Sequence, residues 1–91
     1  MYALFVTNKG KRDLKKCQRQ QRNMGKLKTI LELLLAGETL PNKNTDHPLI
    51  GNYIAHRECH IEPDWLLIYH INEDEKVVNL VRTDSHSELF S

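Results

Sequence analysis

The run Asp64-Trp65-Leu66-Leu67-Ile68-Tyr69-His70-Ile71 decides the fold. It is far shorter than the ~20 apolar residues a membrane-spanning helix requires. Its core, Trp65 to Tyr69, is apolar without interruption, as expected of a central strand covered on both faces. Just upstream, Pro63 sets it off from Asn52 to Ile61, an alternating segment that predicts a neighbouring strand. Downstream, Asn72-Glu73-Asp74-Glu75 makes an acidic hairpin turn, and Lys76 to Thr83 forms the last strand. A short polar segment follows, expected as a turn, ending in Leu89, Phe90 and Ser91. Before these three strands, Glu38 to Gly51 is polar, carries Pro41 and Pro48, and is expected to be a loop.

The N-terminal half changes period. Tyr2 to Thr7 is aromatic and β-branched and predicts a first strand, ending in a turn at Asn8, Lys9 and Gly10. Lys11 to Arg22 predicts a helix with a thin buried stripe, Leu14 and Cys17. Asn23 and Gly25 break it from a second helix, in which Leu27, Ile30, Leu31, Leu34 and Leu35 recur on one face, with Gly37 as its stop. The class is therefore α+β, two N-terminal helices packed on a small antiparallel sheet, in one domain over residues 1–91. Ninety-one residues, 40% hydrophobic and 27% charged, suffice for one modest core and no more. The apolar start Met1 to Val6 lacks the basic lead-in and small-residue cleavage site of a secretion signal, so a cytoplasmic location is expected, with no membrane partner.

The net charge of +1 conceals an uneven distribution. Lys9, Lys11, Arg12, Lys15, Lys16, Arg19, Arg22, Lys26 and Lys28 share Asn8 to Lys28 with a single acid, Asp13. Elsewhere four bases face eleven acids. A basic block of this kind suits contact with a polyanion such as RNA, although basic surface helices also occur with no ligand.

Several side chains could carry chemistry. In the strand before Pro63, the two-residue period puts His56, Glu58, His60 and Glu62 on one face and Arg57, Cys59 and Ile61 on the other. Burying two imidazoles and two carboxylates is costly, so that face is expected to meet solvent or a cleft. Asp64 stands at the start of the central strand, His47 in the loop before Pro48, and His86 beyond the last strand. Imidazole titrates near neutral pH, so three histidines with acidic partners suggest proton transfer. Arg57 or Arg82 could stabilise a developing negative charge. Phe90, near the end of the chain, could stack on a base or pack against the C-terminus. Cys17 and Cys59 form no CxxC pair and are expected to be reduced thiols. A zinc set of Cys59, His56 and His60 lacks four-ligand spacing, so neither metal nor cofactor is expected. RNA cleavage without metal needs a base for the ribose 2′-hydroxyl, an acid for the departing 5′-oxygen and a cation for the phosphorane.

The segment Asp46-His47-Pro48-Leu49, Gly51, Tyr53 and Arg57-Glu58-Cys59-His60-Ile61-Glu62-Pro63-Asp64-Trp65-Leu66-Leu67-Ile68-Tyr69 resembles the YafQ branch of the RelE/ParE toxin superfamily. The tail Arg82-Thr83-Asp84-Ser85-His86-Ser87-Glu88-Leu89-Phe90 is similar to the matching end of those proteins. The resemblance implies a compact RelE-like, microbial-ribonuclease-like fold and an endoribonuclease that cuts mRNA in the ribosomal A site. It implies an antitoxin partner, contact with ribosomal RNA, and operator DNA binding only as the toxin–antitoxin complex. Carried across by motif, His47, His60, Asp64 and His86 take catalytic or supporting positions, and Phe90 that of an aromatic needed for activity. Position 58, often Asp in relatives, keeps its carboxylate as Glu58. His86 is then the expected general acid, with Asp64, His60 or His47 as base. Two departures stand out. Gly10 replaces a frequent aromatic, which predicts a less firmly seated first helix, and the chain ends at Ser91, which predicts a mobile Phe90.

Two other functions fit parts of this pattern. Some members of the superfamily poison DNA gyrase and lack the nuclease residues, and a supercoiling assay separates that activity. A non-catalytic RNA-binding regulatory module would use only the basic helices, and would be indifferent to loss of His86.

Overall fold

The computed structural model describes residues 1–90. Ser91, on which the expectation of a mobile end depends, lies outside the described residues. Its strands are β1 (Ala3–Val6), β2 (His47–Pro48), β3 (Arg57–Glu62), β4 (Trp65–Asn72) and β5 (Val77–Asp84), and its helices α1 (Asn8–Arg19), α2 (Met24–Leu35) and α3 (His86–Phe90). They form one sheet in the order β1-β5-β4-β3-β2. All pairs are antiparallel except β1 with β5, so the sheet is mixed where the sequence predicts an antiparallel one. The reason is connectivity: α1 and α2 carry the chain from β1 back across one face, which leaves room for a parallel partner.

β4 is the middle strand, and Trp65 to Tyr69 are fully buried, as their unbroken apolarity predicts. On one face Trp65, Leu67 and Tyr69 pack with Cys17, Leu27, Ile30 and Leu34 of the two long helices. On the other, Leu66 and Ile68 meet Leu89 of α3, with Leu49, Tyr53 and Val81 around them. This second cluster is small because only five helical residues and a loop cover it.

Local chemistry moves several boundaries. The expected turn at Asn8 to Gly10 is the first turn of α1, because the Thr7 hydroxyl accepts the Gly10 N–H at 2.9 Å and caps the helix three residues early. The expected loop from Glu38 to Gly51 holds a 3-10 turn at Asn42–Asn44 and the two-residue β2, whose His47 and Pro48 pair with Glu58 and Arg57. Asn52 does not begin a strand. Gly51–Tyr53 is a second 3-10 turn, and β3 starts only at Arg57. The C-terminal turn is the short helix α3.

β1 ends at Val6 opposite Leu80, which leaves the outer edge of β5 beyond Leu80 without a neighbouring strand. Side chains complete it. The Thr7 hydroxyl donates to the Val81 carbonyl at 2.7 Å, and the buried Asp13 carboxylate accepts the Thr83 N–H at 3.1 Å. Gly10 makes this approach possible: a Cβ there would lie 2.9 Å from both the Leu80 carbonyl oxygen and Leu80 Cδ2. The glycine seats α1 closer to the sheet, which corrects the expectation of a looser helix.

Gly10→Ala is predicted to force α1 off β5 and to cost about 2 kcal/mol, or about 10 °C in Tm; an unchanged melting curve would contradict this packing. Burial also pushes the Cys59 thiol up to about 12. The fold therefore holds a proton that the unfolded chain releases at lower pH, so its stabilising contribution is whole below about pH 8.5 and fades as pH rises toward the folded value. The urea midpoint should fall above that pH, and Cys59→Ala should flatten the fall; identical profiles for the two proteins would refute it.

Candidate functional site

The register of the sheet builds the site. His47 lies opposite Glu58, Glu58 opposite Ile68, and Ile68 opposite Arg82. Residues directly opposed share a face, so one row across four strands carries an imidazole, a carboxylate, an apolar side chain and a guanidinium. The adjacent row runs from His60 through Leu66 to Asp84. Both rows are on the face away from α1 and α2.

Glu58 is buried, 5% exposed, although a polar strand face is expected to be open. Its Oε1 lies 3.4 Å from His47 Nε2 and 3.6 Å from His60 Nε2, so the two rings partner the carboxylate and screen it from solvent. The other ring nitrogens lie near backbone carbonyls. His47 Nδ1 is 3.1 Å from the Pro48 oxygen, and His60 Nδ1 is 3.4 Å from that of Pro63. The three side chains also offer donor atoms within 4.8 Å of one another, close enough to share one metal ion as a three-ligand set. The set Cys59, His56 and His60 is not assembled, because the Cys59 thiol points into the helix-side core.

Asp64, next to Pro63, reaches the start of α3, where its Oδ1 accepts the His86 N–H at 3.2 Å. His86 is exposed, and its ring lies 5.1 Å from that of Phe90, which is 41% exposed. Phe90 meets Tyr53 edge-on at 6.2 Å. Rings continue from there: Tyr53 to His56 at 6.0 Å, and His56 to His70 at 5.2 Å. His47, Glu58 and His60 thus form one group and Asp64, His86 and Phe90 another, joined through Pro63 and Asp64 on the same side of the sheet.

The two arginines part company. Arg57 is on the opposite face, as its odd position in β3 dictates, and its Nε donates to Asp46 at 3.2 Å beside Tyr69. It cannot serve the imidazole group, which corrects its assignment as a substrate cation. Arg82 is on the correct face, but its guanidinium holds Asp13 with two hydrogen bonds, 2.7 Å and 3.2 Å. Those bonds to Asp13 raise its pKa further, so it is a fixed positive charge.

Asp13, Asp46, Tyr53 and His70 have no role assigned to them from the sequence. Asp13 is the sole acid in the basic block, a signal that could have marked it as structural. Of the nine bases there, Lys16 pairs with Asp84, Lys26 with Glu62, and Arg22 covers the Trp65 ring at 5.3 Å. Lys9, Lys11, Arg12, Lys15, Arg19 and Lys28 form no ion pair among the described residues. No described helix is long and apolar enough to cross a membrane.

A family described as the bacterial toxin of the type II toxin–antitoxin system, YafQ, matches residues 2–91. Among curated proteins, the mRNA interferase toxin YafQ of Escherichia coli K12 is 39% identical over 80 residues, covering 87% of this chain and 85% of the relative. Among solved structures, the Escherichia coli DinJ–YafQ complex superposes with a TM-score of 0.91 at 33% identity, covering 100% of both chains. A toxin from Helicobacter pylori, solved with metal bound, gives 0.93 at 38% identity, covering 99% of this chain and 100% of that one.

Asp13→Asn is predicted to lower stability by about 2–3 kcal/mol in urea unfolding, because Arg82 and the Thr83 N–H lose a charged acceptor in a buried place; a change below about 0.5 kcal/mol would show that Asp13 is dispensable.

Proposed function

The chain belongs to the YafQ family of bacterial type II toxins, and we propose that it is an endoribonuclease that arrests translation by cutting mRNA in the ribosomal A site. The observation that carries this reading is the shared face, where His47, Glu58 and His60 lie beside the Asp64-tethered His86 and the exposed Phe90.

The chemistry follows from those groups. A base, supplied by His60, His47 or Asp64, takes the proton of the ribose 2′-hydroxyl. The alkoxide attacks the adjacent phosphorus, and the bond to the 5′-oxygen breaks as His86 delivers a proton to it. The products are a 2′,3′-cyclic phosphate and a free 5′-hydroxyl. Glu58 holds the two imidazoles in register and balances their charge when protonated. Arg82, fixed by Asp13, supplies the positive field for the phosphorane. Phe90 offers an aromatic face to a base. No step in this scheme requires a metal. A divalent ion on His47, Glu58 and His60 would withdraw both imidazoles from proton transfer.

The six bases of α1 and α2 that form no ion pair among the described residues suit ribosomal RNA, whose phosphates reward such a surface through counterion release. A cognate antitoxin, as DinJ is for the Escherichia coli relative, silences the toxin, and operator DNA is bound only by the pair. The whole of residues 1–91 acts as one cytoplasmic domain.

Expression without antitoxin should arrest growth and yield in-frame cuts in a translated message by primer extension. His86 is exposed, so His86→Ala should keep its Tm while cutting falls by about 10²–10⁴-fold, with His60→Ala similarly impaired. An intact chain that produces no cuts, or blocks supercoiling by purified gyrase instead, would overturn the assignment. Antitoxin binding should protect the basic helices, the imidazole face or both in hydrogen exchange; protection confined to the hairpin around Asp74 would refute that.

A further inference from the structure

A groove of about 620 Å³ opens on the far side of His60, between α2, the Asn42–Asn44 turn and the end of β3. His60 is among the lining residues: its Nε2 faces Glu58 at 3.6 Å, and its Nδ1 lies 3.4 Å from the carbonyl of Pro63, itself a lining residue. The groove is large enough to enclose a small organic ligand. Ile30, Leu33 and Ile61 give it an apolar floor, and Lys43 stands at its rim.

Two features of the rim bear on what the groove could take. Asn44 is 6% exposed, and its amide nitrogen is fixed by donation to the His60 carbonyl at 2.8 Å. That bond orients the carboxamide, yet its Oδ1 accepts no hydrogen bond among the described residues. The next residue, Thr45, takes a left-handed backbone with φ of 45°, which is strained for a β-branched side chain. The chain thus holds an unfavourable conformation beside a carboxamide oxygen that no group engages among the described residues and that stays open to solvent.

We infer that this groove is a nucleobase subsite, taking the base of a nucleotide next to the scissile phosphate and selecting one that bears an exocyclic amino group. The inference rests on the ribonuclease reading and extends it to the substrate. A base on the apolar floor would place its ribose beside His60, with Lys43 near a flanking phosphate. Asn44 Oδ1 accepts a hydrogen bond from the amino group of cytosine, adenine or guanine. Uracil presents a carbonyl oxygen where cytosine presents its amino group, so it sets acceptor against acceptor and leaves Asn44 unsatisfied.

The test compares CMP with UMP, which differ in the group at C4 and in the proton on N3, by NMR titration of the intact chain. CMP is expected to shift the amides of Lys43, Asn44 and Thr45 and to bind about fivefold tighter than UMP. Asn44→Leu should bring the ratio to about one, whereas Lys43→Ala should weaken both nucleotides and preserve it. If Asn44→Leu does not fold, the wild-type ratio and the location of the shifts still decide. Equal binding of CMP and UMP, or shifts confined to the surroundings of Phe90, overturn the inference. With primer-extension cuts still present, those results would leave the ribonuclease reading standing. Selective CMP binding in a chain that cuts no message would instead preserve the subsite and remove the reading.

Discussion

A strand buried on both faces has to be covered twice, and that constraint shapes this molecule. β4 places Trp65, Leu67 and Tyr69 on one side and Leu66 and Ile68 on the other. The two long helices cover the first side completely. The second receives only α3 and the loop around Tyr53, enough to keep a few side chains dry. Around this small cover the sheet rows become polar, and His47, Glu58, His60 and Arg82 occupy them. The incomplete layer is what leaves a site open in so short a chain.

Polar contacts then tie that open face to the basic helices behind it. Asp13 reaches from α1 to Arg82 and to the Thr83 N–H, and Lys16 reaches from the same helix to Asp84 at 3.1 Å. Both anchor the end of β5, from which α3 and His86 project. On the other side, Asp64 fixes the start of α3 from the β3–β4 connection. Buried carboxylates are costly unless paired, and Asp13 and Glu58 are both paired, to Arg82 and to His47 and His60 on the candidate face. The register irregularities in β4–β5 at Ile68/Tyr69 and in β3–β4 at His60/Glu62 fall within the same region, as bulges commonly do near sites.

Much of this was legible in the sequence because hydrophobic period and strand alternation are local signals. The β4 run and the face of α2 specify their own burial, and the alternation of β3 specifies which side chains share a face, though not that Glu58 is buried. That alternation also separates Glu58 and His60 from Arg57, although only the structure shows that this removes Arg57 from the imidazole group. Contacts made across long separations were not legible. Asp13 meets Arg82 and Thr83 about seventy residues away, and β1 pairs in parallel with β5 through a connection whose path no local pattern records. Gly10 was misread for the same reason, since its value depends on the backbone of Leu80. The two-residue β2 is too short for any period, so His47 could be placed only by analogy. The strained Thr45 and the half-satisfied Asn44 leave no trace in composition.

Convergence of imidazole and carboxylate groups on one ribose-phosphate is tested most directly by removing the nucleophile from the substrate. A message carrying a single 2′-deoxyribose at the cleaved position, translated in a purified system with this protein added, isolates that atom. The deoxy message should remain whole at that position, while the all-ribose message is cut and ends in a 2′,3′-cyclic phosphate. Equal cutting of both messages, or a product ending in a 3′-hydroxyl, would contradict attack by the 2′-oxygen and with it the roles given to His60, Asp64 and His86.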